Sequence, residues 1–237
     1  MASTDSPDSS THTPLDAVSY GPDIGTEAEL RLLGDLKGKR VLELGCGGAQ
    51  AAVAFARQGA TTIAIDTSAE QLELARKLVE REGVRVELRQ GDLAELAFLR
   101  ADSIDLIFSA QTLALVEDLR RVLRQAHRVL KVGAPLVFSL PHPAYAMVDA
   151  DDPDQPLLIR RSYFDRTPVN HERGGVGFTT FPRTVADVFW ALHRSSYRVD
   201  TLLEPEPPAT GPRSQDWRQA CRYVPRTLVV RARKEGL

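Results

Sequence analysis

A carboxylate and a run of glycines at the end of a short apolar stretch are the residues best suited to chemistry. Residues 41–49 read Val-Leu-Glu-Leu-Gly-Cys-Gly-Gly-Ala, and an alanine-rich helix is predicted directly after them. Gly45 and Gly47 can adopt positive φ and have no Cβ, so the backbone can approach a ligand closely. Glu43 would repel a pyrophosphate and attract a positively charged ligand. Gln50 also breaks the dinucleotide pattern G-x-G-x-x-G at its sixth position.

Three further polar residues stand at the ends of predicted strands. Asp66 ends a β-branched run, Asp92 follows the next run, and Ser109 ends the run after that. Asp66 comes about twenty residues after the glycines, where a nucleotide-binding βαβ unit places a carboxylate for ribose hydroxyls. The carboxyl ends of parallel strands meet at one edge of a sheet, so we expect these residues to lie near Glu43.

The glycine stretch and a later strand carry a family resemblance. The pattern E-x-G-x-G-x-(G/A), formed by Glu43, Gly45, Gly47 and Ala49, resembles motif I of the Rossmann-like, or class I, S-adenosylmethionine (SAM) methyltransferases. Ala49 stands where a third glycine is common, and alanine costs little there unless the position needs positive φ. The run opened by Asp105 resembles motif IV of the same family.

The motif order agrees with this resemblance. After a helix predicted over 119–130, residues 131–134 read Lys-Val-Gly-Ala. This stretch resembles the family signature L-K-x-G-G, with Ala134 in place of the second glycine. The small-molecule branch called type 11 is the best match. The resemblance implies a doubly wound α/β fold with a seven-stranded, mostly parallel sheet. It also implies a final antiparallel hairpin, the strand order 3-2-1-4-5-7-6, and a lid inserted after strand five.

The resemblance assigns SAM as the cofactor, S-adenosylhomocysteine as its product, and no metal. Glu43 would bind the methionine ammonium, and the backbone around Gly45 and Gly47 would bind its carboxylate. Asp66 would bind the ribose hydroxyls and Asp92 the adenine. The predicted cofactor-binding residues are Tyr20, Glu43, Gly45, Cys46, Gly47, Asp66, Thr67, Gly91, Asp92, Leu93 and Ser109.

Candidate catalytic and substrate residues lie outside these motifs. His142, held between two prolines after the fifth strand, should face the methyl group and is the candidate general base, because histidine titrates near neutral pH. The alternative is a histidine that only hydrogen-bonds the lid; His171 and His193 are weaker candidates. Tyr20 would either close over the methionine end or pack as a lid aromatic. The predicted substrate residues are Tyr163, Phe164, Phe178 and Trp190, and a core role for Trp190 fits its helical spacing equally well.

The chain reads as a single methyltransferase domain, 15–237, after a disordered tail, 1–14. Residues 15–38 should form an N-terminal lid and helix, with Thr26 as the cap and four leucines on its apolar face. The remaining parts are a SAM-binding half with five strand–helix alternations (39–140), a substrate lid (141–183), and a C-terminal helix with a strand hairpin (184–237).

Composition narrows the classes of function. Hydrophobic residues make up 43% of the chain and the formal net charge is −2, so a nucleic-acid partner is not favoured. Segment 213–226 mixes arginines with aromatics; we interpret Arg218 and Arg222 as a solvated helix face, although such a patch could also bind nucleic acid, a carboxylate or a phosphate. Two cysteines without framework spacing favour the cytoplasm. No metal-ligand spacing and no apolar run of membrane-spanning length are present.

These observations predict an enzyme that moves a methyl group from SAM to oxygen or nitrogen of a small metabolite. Rate would come mainly from proximity and in-line orientation, with His142 as the candidate base. The alternatives are methylation of RNA or a nucleoside, a non-catalytic SAM-binding protein, and chemistry on SAM without methyl transfer.

Overall fold

A computed structural model describes residues 18–148, 155, 157–173 and 175–236. The predicted disordered tail, 1–14, lies outside the described residues. Five α-helices and nine β-strands occur in the described part of the chain. The helices are α1 (Glu27–Leu30), α2 (Gln50–Arg57), α3 (Ala69–Arg81), α4 (Leu119–Val129) and α5 (Val185–His193). The strands are β1 (Arg40–Leu44), β2 (Thr61–Asp66), β3 (Val86–Gln90), β4 (Leu106–Ala110), β5 (Pro135–Pro141), β6 (Val169–Arg173), β7 (Val176–Thr180), β8 (Tyr197–Leu203) and β9 (Thr227–Lys234).

Seven strands form one sheet in the order β3-β2-β1-β4-β5-β9-β8. The first five are mutually parallel, whereas β9 runs antiparallel to both of its neighbours. The chain builds outward from β1 to β3 and then returns to the other side of β1 with β4, so the strand order reverses between β1 and β4. The predicted fold class and the predicted strand order are confirmed. A crevice for a ligand is expected at the carboxyl ends of the strands beside that reversal.

Alternating side chains of the strands fill two apolar layers, one on each face of the sheet. Leu42 of β1 and Phe138 of β5 point into the layer covered by α4 and α5. Val41 and Val137, their neighbours in sequence, point into the opposite layer with Phe55 of α2. Successive strand residues face opposite sides, so both layers need nearly continuous apolar strands. The burial of β1 and β4 follows that pattern.

The N-terminal helix is much shorter than predicted. Among the described residues of this segment, 18–38, α1 is the only α-helix, because Arg31 adopts the left-handed conformation and ends it. The Glu27 carboxylate then accepts hydrogen bonds from the backbone amides of Leu32 and Leu33, which stabilises the turn. Leu32 and Leu33, with Leu36, are still buried, but they follow the helix instead of forming its face.

The strand–helix alternation also fails once, between β3 and β4. Residues 91–105 form turns there, not a helix. The Asp92 carboxylate accepts a hydrogen bond from the Ala94 amide, and the Asp92 carbonyl accepts one from Glu95. These local bonds compete with helix formation.

The segment after β5 contains a two-stranded ribbon that the sequence analysis did not predict. Strands β6 and β7 pair with each other and with no strand of the main sheet. The ribbon is anchored where the Phe181 amide donates to the Ala114 carbonyl. Arg183 reinforces that anchor by donating to the carbonyls of Val116 and Glu117. No helix among the described residues is both long and apolar enough to cross a membrane.

Candidate functional site

The glycine stretch forms a tight loop between β1 and α2. The amides of Gly45 and Cys46 both donate to the carbonyl of Ile65 on β2, at 2.8 and 3.1 Å. The Gly47 amide donates to Asp66 Oδ2 at 2.8 Å. Both glycines adopt positive φ, +73° and +48°, as predicted. The loop is therefore held against the end of β2 by backbone and carboxylate hydrogen bonds.

Gly45 is also fixed by close packing against Thr112, which follows β4. Thr112 Oγ1 donates to the Gly45 carbonyl at 3.0 Å. A Cβ on Gly45 would lie 2.1 Å from Thr112 Cγ2. Glycine is required here both for the left-handed backbone and for this approach.

Ala49 stands in the position where the family often has a third glycine, and the structure gives it a left-handed backbone with φ of +63°. The position therefore does need positive φ, so alanine stores backbone strain at the N-cap of α2. Its side chain is fully buried, and packing with the surrounding alanine cluster holds it there.

Glu43 is the least satisfied polar group at the site. The residue is only 4% exposed, and its Oε2 atom has no hydrogen-bond partner. Burial raises the pKa of Glu43 to about 8; a hydrogen bond from the Ala52 amide opposes the shift, and the charge of Asp66 adds to it. An unpaired buried carboxylate oxygen costs free energy, so it marks a place where a donor of hydrogen bonds or positive charge would bind favourably.

Asp66 uses its carboxylate to organise the backbone around it. Oδ2 accepts from Gly47 and Oδ1 accepts from the Ser68 amide at 2.9 Å. Its own carbonyl accepts from the Gly91 amide at 3.0 Å. The Thr67 carbonyl accepts from Gln90 Nε2 at 3.2 Å. The ends of β2 and β3 and the glycine loop are therefore joined through one residue.

Asp92, Leu93 and the backbone amides of the glycine loop are the other predicted cofactor contacts at this edge, and they differ in exposure and in hydrogen bonding. The Asp92 side chain is about half exposed, and its Oδ2 lies 3.7 Å from Arg121 Nη1. Leu93 is buried in the large apolar layer. The amides of Gly45, Cys46 and Gly47 are already hydrogen-bonded, whereas the Gly48 amide has no acceptor among the described residues.

Three predicted cofactor residues have structural partners. Ser109 is fully buried, and its Oγ donates to the Leu44 carbonyl at 2.8 Å, which joins β4 to β1. The Tyr20 ring packs edge-on against Phe108, and its hydroxyl donates to Glu27. The Cys46 thiol donates to the Gly47 carbonyl at 3.7 Å, and burial raises the pKa of this thiol. The Tyr20 ring belongs to the apolar layer with Phe55, whereas Cys46 and Ala49 of the glycine loop belong to a separate buried cluster.

His142 is buried after β5, with both ring nitrogens engaged. Nδ1 accepts from the Ala144 amide at 3.1 Å, so Nε2 carries the proton and donates to Glu204 Oε1 at 2.7 Å. The His142 amide donates to the Arg226 carbonyl. In this arrangement the histidine ties β5 to the segment between β8 and β9. The lone pair that a base would use is on Nδ1, so the contact with the Ala144 amide must open before the ring can accept a proton.

The four predicted substrate aromatics are not gathered around the glycine loop. Phe164 and Trp190 are 72% and 54% exposed, and Phe178 stacks on His171 in the ribbon. The Tyr163 hydroxyl accepts from the Val185 amide at the start of α5. Trp190 is thus a surface residue and not part of the core.

Several residues at this end of the sheet were missed by the sequence analysis. Gln111 Nε2 donates to the Tyr20 carbonyl and to Ser139 Oγ, which fixes the N-terminal segment over β4 and β5. Thr112 and Glu204 complete the surroundings of Gly45 and His142. The position of Thr112 just after a motif strand was a usable signal, whereas Glu204 lies 62 residues from its partner and gave none.

The strand order, the reversal beside β1, and the loop fixed by Asp66 define the class I fold of the SAM-dependent methyltransferases. Residues 42–138 match the type 11 family model described as a methyltransferase domain. The sequence-based recognition of this class is therefore confirmed.

Individual proteins agree with this classification. A SAM-dependent methyltransferase from Mesorhizobium loti is 27% identical with a TM-score of 0.68, over 87% of this chain and 96% of that one. A Listeria monocytogenes protein assigned to the same class has 22% identity and a TM-score of 0.73, over 87% and 95%. The ubiquinone biosynthesis O-methyltransferase of Hahella chejuensis is 39% identical over 104 residues, 44% of each protein. The chain thus spans less than half the length of the curated relatives it matches.

Gly45→Ala should destabilise the protein much more than Gly133→Ala. Both positions have φ above +70°, but nothing lies within 4 Å of a Cβ on Gly133. Backbone strain should cost about 1–2 kcal/mol at either position, and the contact with Thr112 should add about 2 kcal/mol or more at position 45. Denaturant unfolding measures both; equal losses would show that the Thr112 contact is relieved without cost.

Glu43→Gln should flatten the dependence of stability on pH. A carboxyl whose pKa rises from 4.5 to about 8 on folding holds its proton more tightly in the folded state. Stability is therefore full below pH 4.5 and is lost as the pH rises toward 8. Thermal unfolding between pH 5 and 9 should show a steeper decline for the parent chain than for the glutamine variant. Glu87→Gln, on exposed β3, is the matched control, and parallel curves for parent and Glu43→Gln would contradict the buried charge.

Proposed function

We propose that the protein transfers a methyl group from SAM to an oxygen atom of a small molecule. The observation that carries the proposal is the buried Glu43 carboxylate with an unpaired oxygen beside the glycine loop. An ammonium group of a ligand would supply the missing hydrogen bond and the opposite charge. The match of residues 42–138 to a methyltransferase domain supports the same assignment.

The residues at the strand ends fit SAM. Glu43 would hold the ammonium, and the free Gly48 amide, with the first-turn amides of α2, would hold the carboxylate of the same amino-acid moiety. Asp66 would accept from the ribose hydroxyls while keeping its backbone contacts, because each carboxylate oxygen can accept more than one hydrogen bond. Asp92, half exposed at the end of β3, would accept from the adenine amine.

SAM, when bound, supplies a methyl group on a positively charged sulfur. The protein contributes orientation: the loop is fixed to β2 at three amides, so the donor would be held rigidly beside the ends of β4 and β5. Holding two reactants in line can account for a large part of the rate enhancement. Excluding water from the space around the bound donor would strengthen its electrostatic contacts with Glu43.

Transfer to oxygen of a small molecule is favoured over the alternatives by two observations. Curated relatives from Hahella chejuensis and Escherichia coli are named ubiquinone biosynthesis O-methyltransferases, although they match less than half of this chain. A net charge of −2 gives little attraction for a nucleic-acid backbone. We infer that nitrogen or RNA acceptors are less suitable.

Calorimetric titration of SAM into the purified chain tests the proposal directly. We expect one site per chain with micromolar affinity, followed by formation of S-adenosylhomocysteine when small hydroxylated acceptors are added. Binding without turnover across such a panel would favour a non-catalytic SAM-binding protein. Absence of binding would contradict the proposal, and retention of labelled RNA that weakens steeply with salt would favour the RNA alternative.

Asp66→Ala should weaken SAM binding by more than about tenfold, because two ribose hydrogen bonds to a charged group are lost. Asp35→Ala is the matched control: each aspartate accepts from a backbone amide two residues ahead, but Asp35 lies outside the strand ends. Calorimetry on both variants, after circular dichroism shows that they fold, measures the effect. Equal affinities for the two variants would contradict the ribose assignment.

His142→Ala separates a base from a positioning residue. If His142 accepts the proton, turnover should fall by about a hundredfold or more while SAM affinity changes less than about twofold. A parallel Glu204→Gln variant keeps an acceptor for Nε2 and removes the charge beside the ring, so it should lower turnover in the parent but not further in the His142→Ala background. Unchanged turnover in His142→Ala would contradict a role as base.

A further inference from the structure

A cavity of about 510 Å³ lies in the long connection between β8 and β9. Both ends of this connection lie at the carboxyl end of β5, because β8 is parallel to β5 and Thr227 at the start of β9 pairs with Pro141 at its end. This is the edge of the sheet that also carries the glycine loop. A volume of this size suits a small organic molecule.

Glu204 connects the cavity to the candidate base. Its side chain lines the cavity and accepts the hydrogen bond from His142 Nε2 at 2.7 Å. Cys221 forms another part of the wall, and burial, together with the neighbouring Cys221 side chain, raises the pKa of Tyr145 to about 12. The cavity therefore borders residues that follow β5. The proposed position of the methyl donor is beside the end of the same strand.

Flat apolar groups make up much of the remaining wall. Pro205, Pro207 and Pro208 line one part, and Trp217 lines another. The Arg213 guanidinium stacks over the Trp217 ring at 4.0 Å and donates to the Pro208 carbonyl at 2.6 Å. Rigid rings and prolines lose little entropy on binding, and they present flat surfaces to a planar ligand.

Arg222 is the cation in this wall that is available to a ligand. Arg213 is already occupied by Trp217 and Pro208, whereas the Arg222 guanidinium forms no hydrogen bond or ion pair within the described part of the chain. A free guanidinium at a cavity favours a carboxylate, which it can bind through two parallel hydrogen bonds. Glu204 and Glu206, in contrast, offer acceptors for hydroxyl groups.

Asp23 fixes the connection in place. Its carboxylate accepts from the Ser214 amide at 2.7 Å and from Arg226 Nη1 at 3.0 Å, and its side chain is 4% exposed. The same N-terminal segment is attached to the end of β4 through Gln111 and the Tyr20 carbonyl. The cavity wall and the end of the main sheet are thus held in one frame, which favours a preformed site.

From these contacts we propose that the cavity is the acceptor site and binds a planar hydroxylated ring that carries a carboxylate. The carboxylate binds Arg222, the ring lies against the prolines and Trp217, and a hydroxyl points to Glu204. This assignment rests on the proposed methyl transfer. It places acceptor recognition in residues 204–225 and not in the aromatics of the 141–183 segment.

The chain contains two tryptophans, so Trp190→Phe leaves Trp217 as the only tryptophan reporter in the cavity. In that background we expect 3,4-dihydroxybenzoate to change tryptophan fluorescence saturably, with affinity in the millimolar range or better. Arg222→Gln should weaken the binding of 3,4-dihydroxybenzoate about tenfold. The same substitution should change the affinity for catechol, which lacks the carboxylate, by less than about twofold. Arg85→Gln, an exposed arginine before β3, is the matched control and should have no effect.

Absence of a saturable change up to about 10 mM probe would overturn the inference, as would equal effects of Arg222→Gln and Arg85→Gln. SAM titration of the same Trp190→Phe protein separates this failure from failure of the proposed function. If SAM binds but the probe does not, only the acceptor site is wrong. If SAM does not bind, the methyltransferase proposal fails and the cavity cannot be an acceptor site, even if the probe binds there.

Discussion

The organisation of the site follows from one electrostatic constraint, the burial of the Glu43 carboxylate at the end of a central strand. A buried carboxylate with an unpaired oxygen raises the free energy of the folded chain unless it is protonated or receives a donor. The surrounding elements restrict what that donor can be. The glycine loop and the N-terminus of α2 lie beside Glu43 and carry amides suited to a negative group close to a positive one.

The two acidic residues at the ends of β1 and β2, Glu43 and Asp66, have different roles in the site. Asp66 uses part of its hydrogen-bonding capacity on Gly47 and Ser68, which makes the loop rigid before any ligand arrives. Glu43 keeps one oxygen unpaired. One carboxylate therefore fixes geometry and the other retains binding free energy for a ligand, an arrangement that reduces the cost of ordering the site on binding.

The other half of the site is assembled from distant parts of the chain. His142 after β5 meets Glu204 after β8, and Asp23 near the first described residues binds Ser214 at a separation of 191 residues. These contacts hold the long connection between β8 and β9 against the main sheet. Because loops carry side chains that no periodic pattern predicts, this is also where substrate preference can differ between proteins that share the fold.

The strand order was an implication of the family resemblance, whereas the sequence by itself determined the succession of strands, the positive φ of Gly45 and Gly47, and the placement of Glu43 and Asp66 at one edge. These features depend on local patterns: apolar runs, glycine freedom, and the rule that parallel strands end together. Tertiary structure decided that α1 ends at Arg31, that Ser109 joins two strands, that Trp190 is on the surface, and that both nitrogens of His142 are engaged. It also decided that a cavity forms in the connection from β8 to β9. Each of these depends on partners far away in sequence, and a local pattern contains no information about which distant group will satisfy a buried polar atom or leave a space beside it.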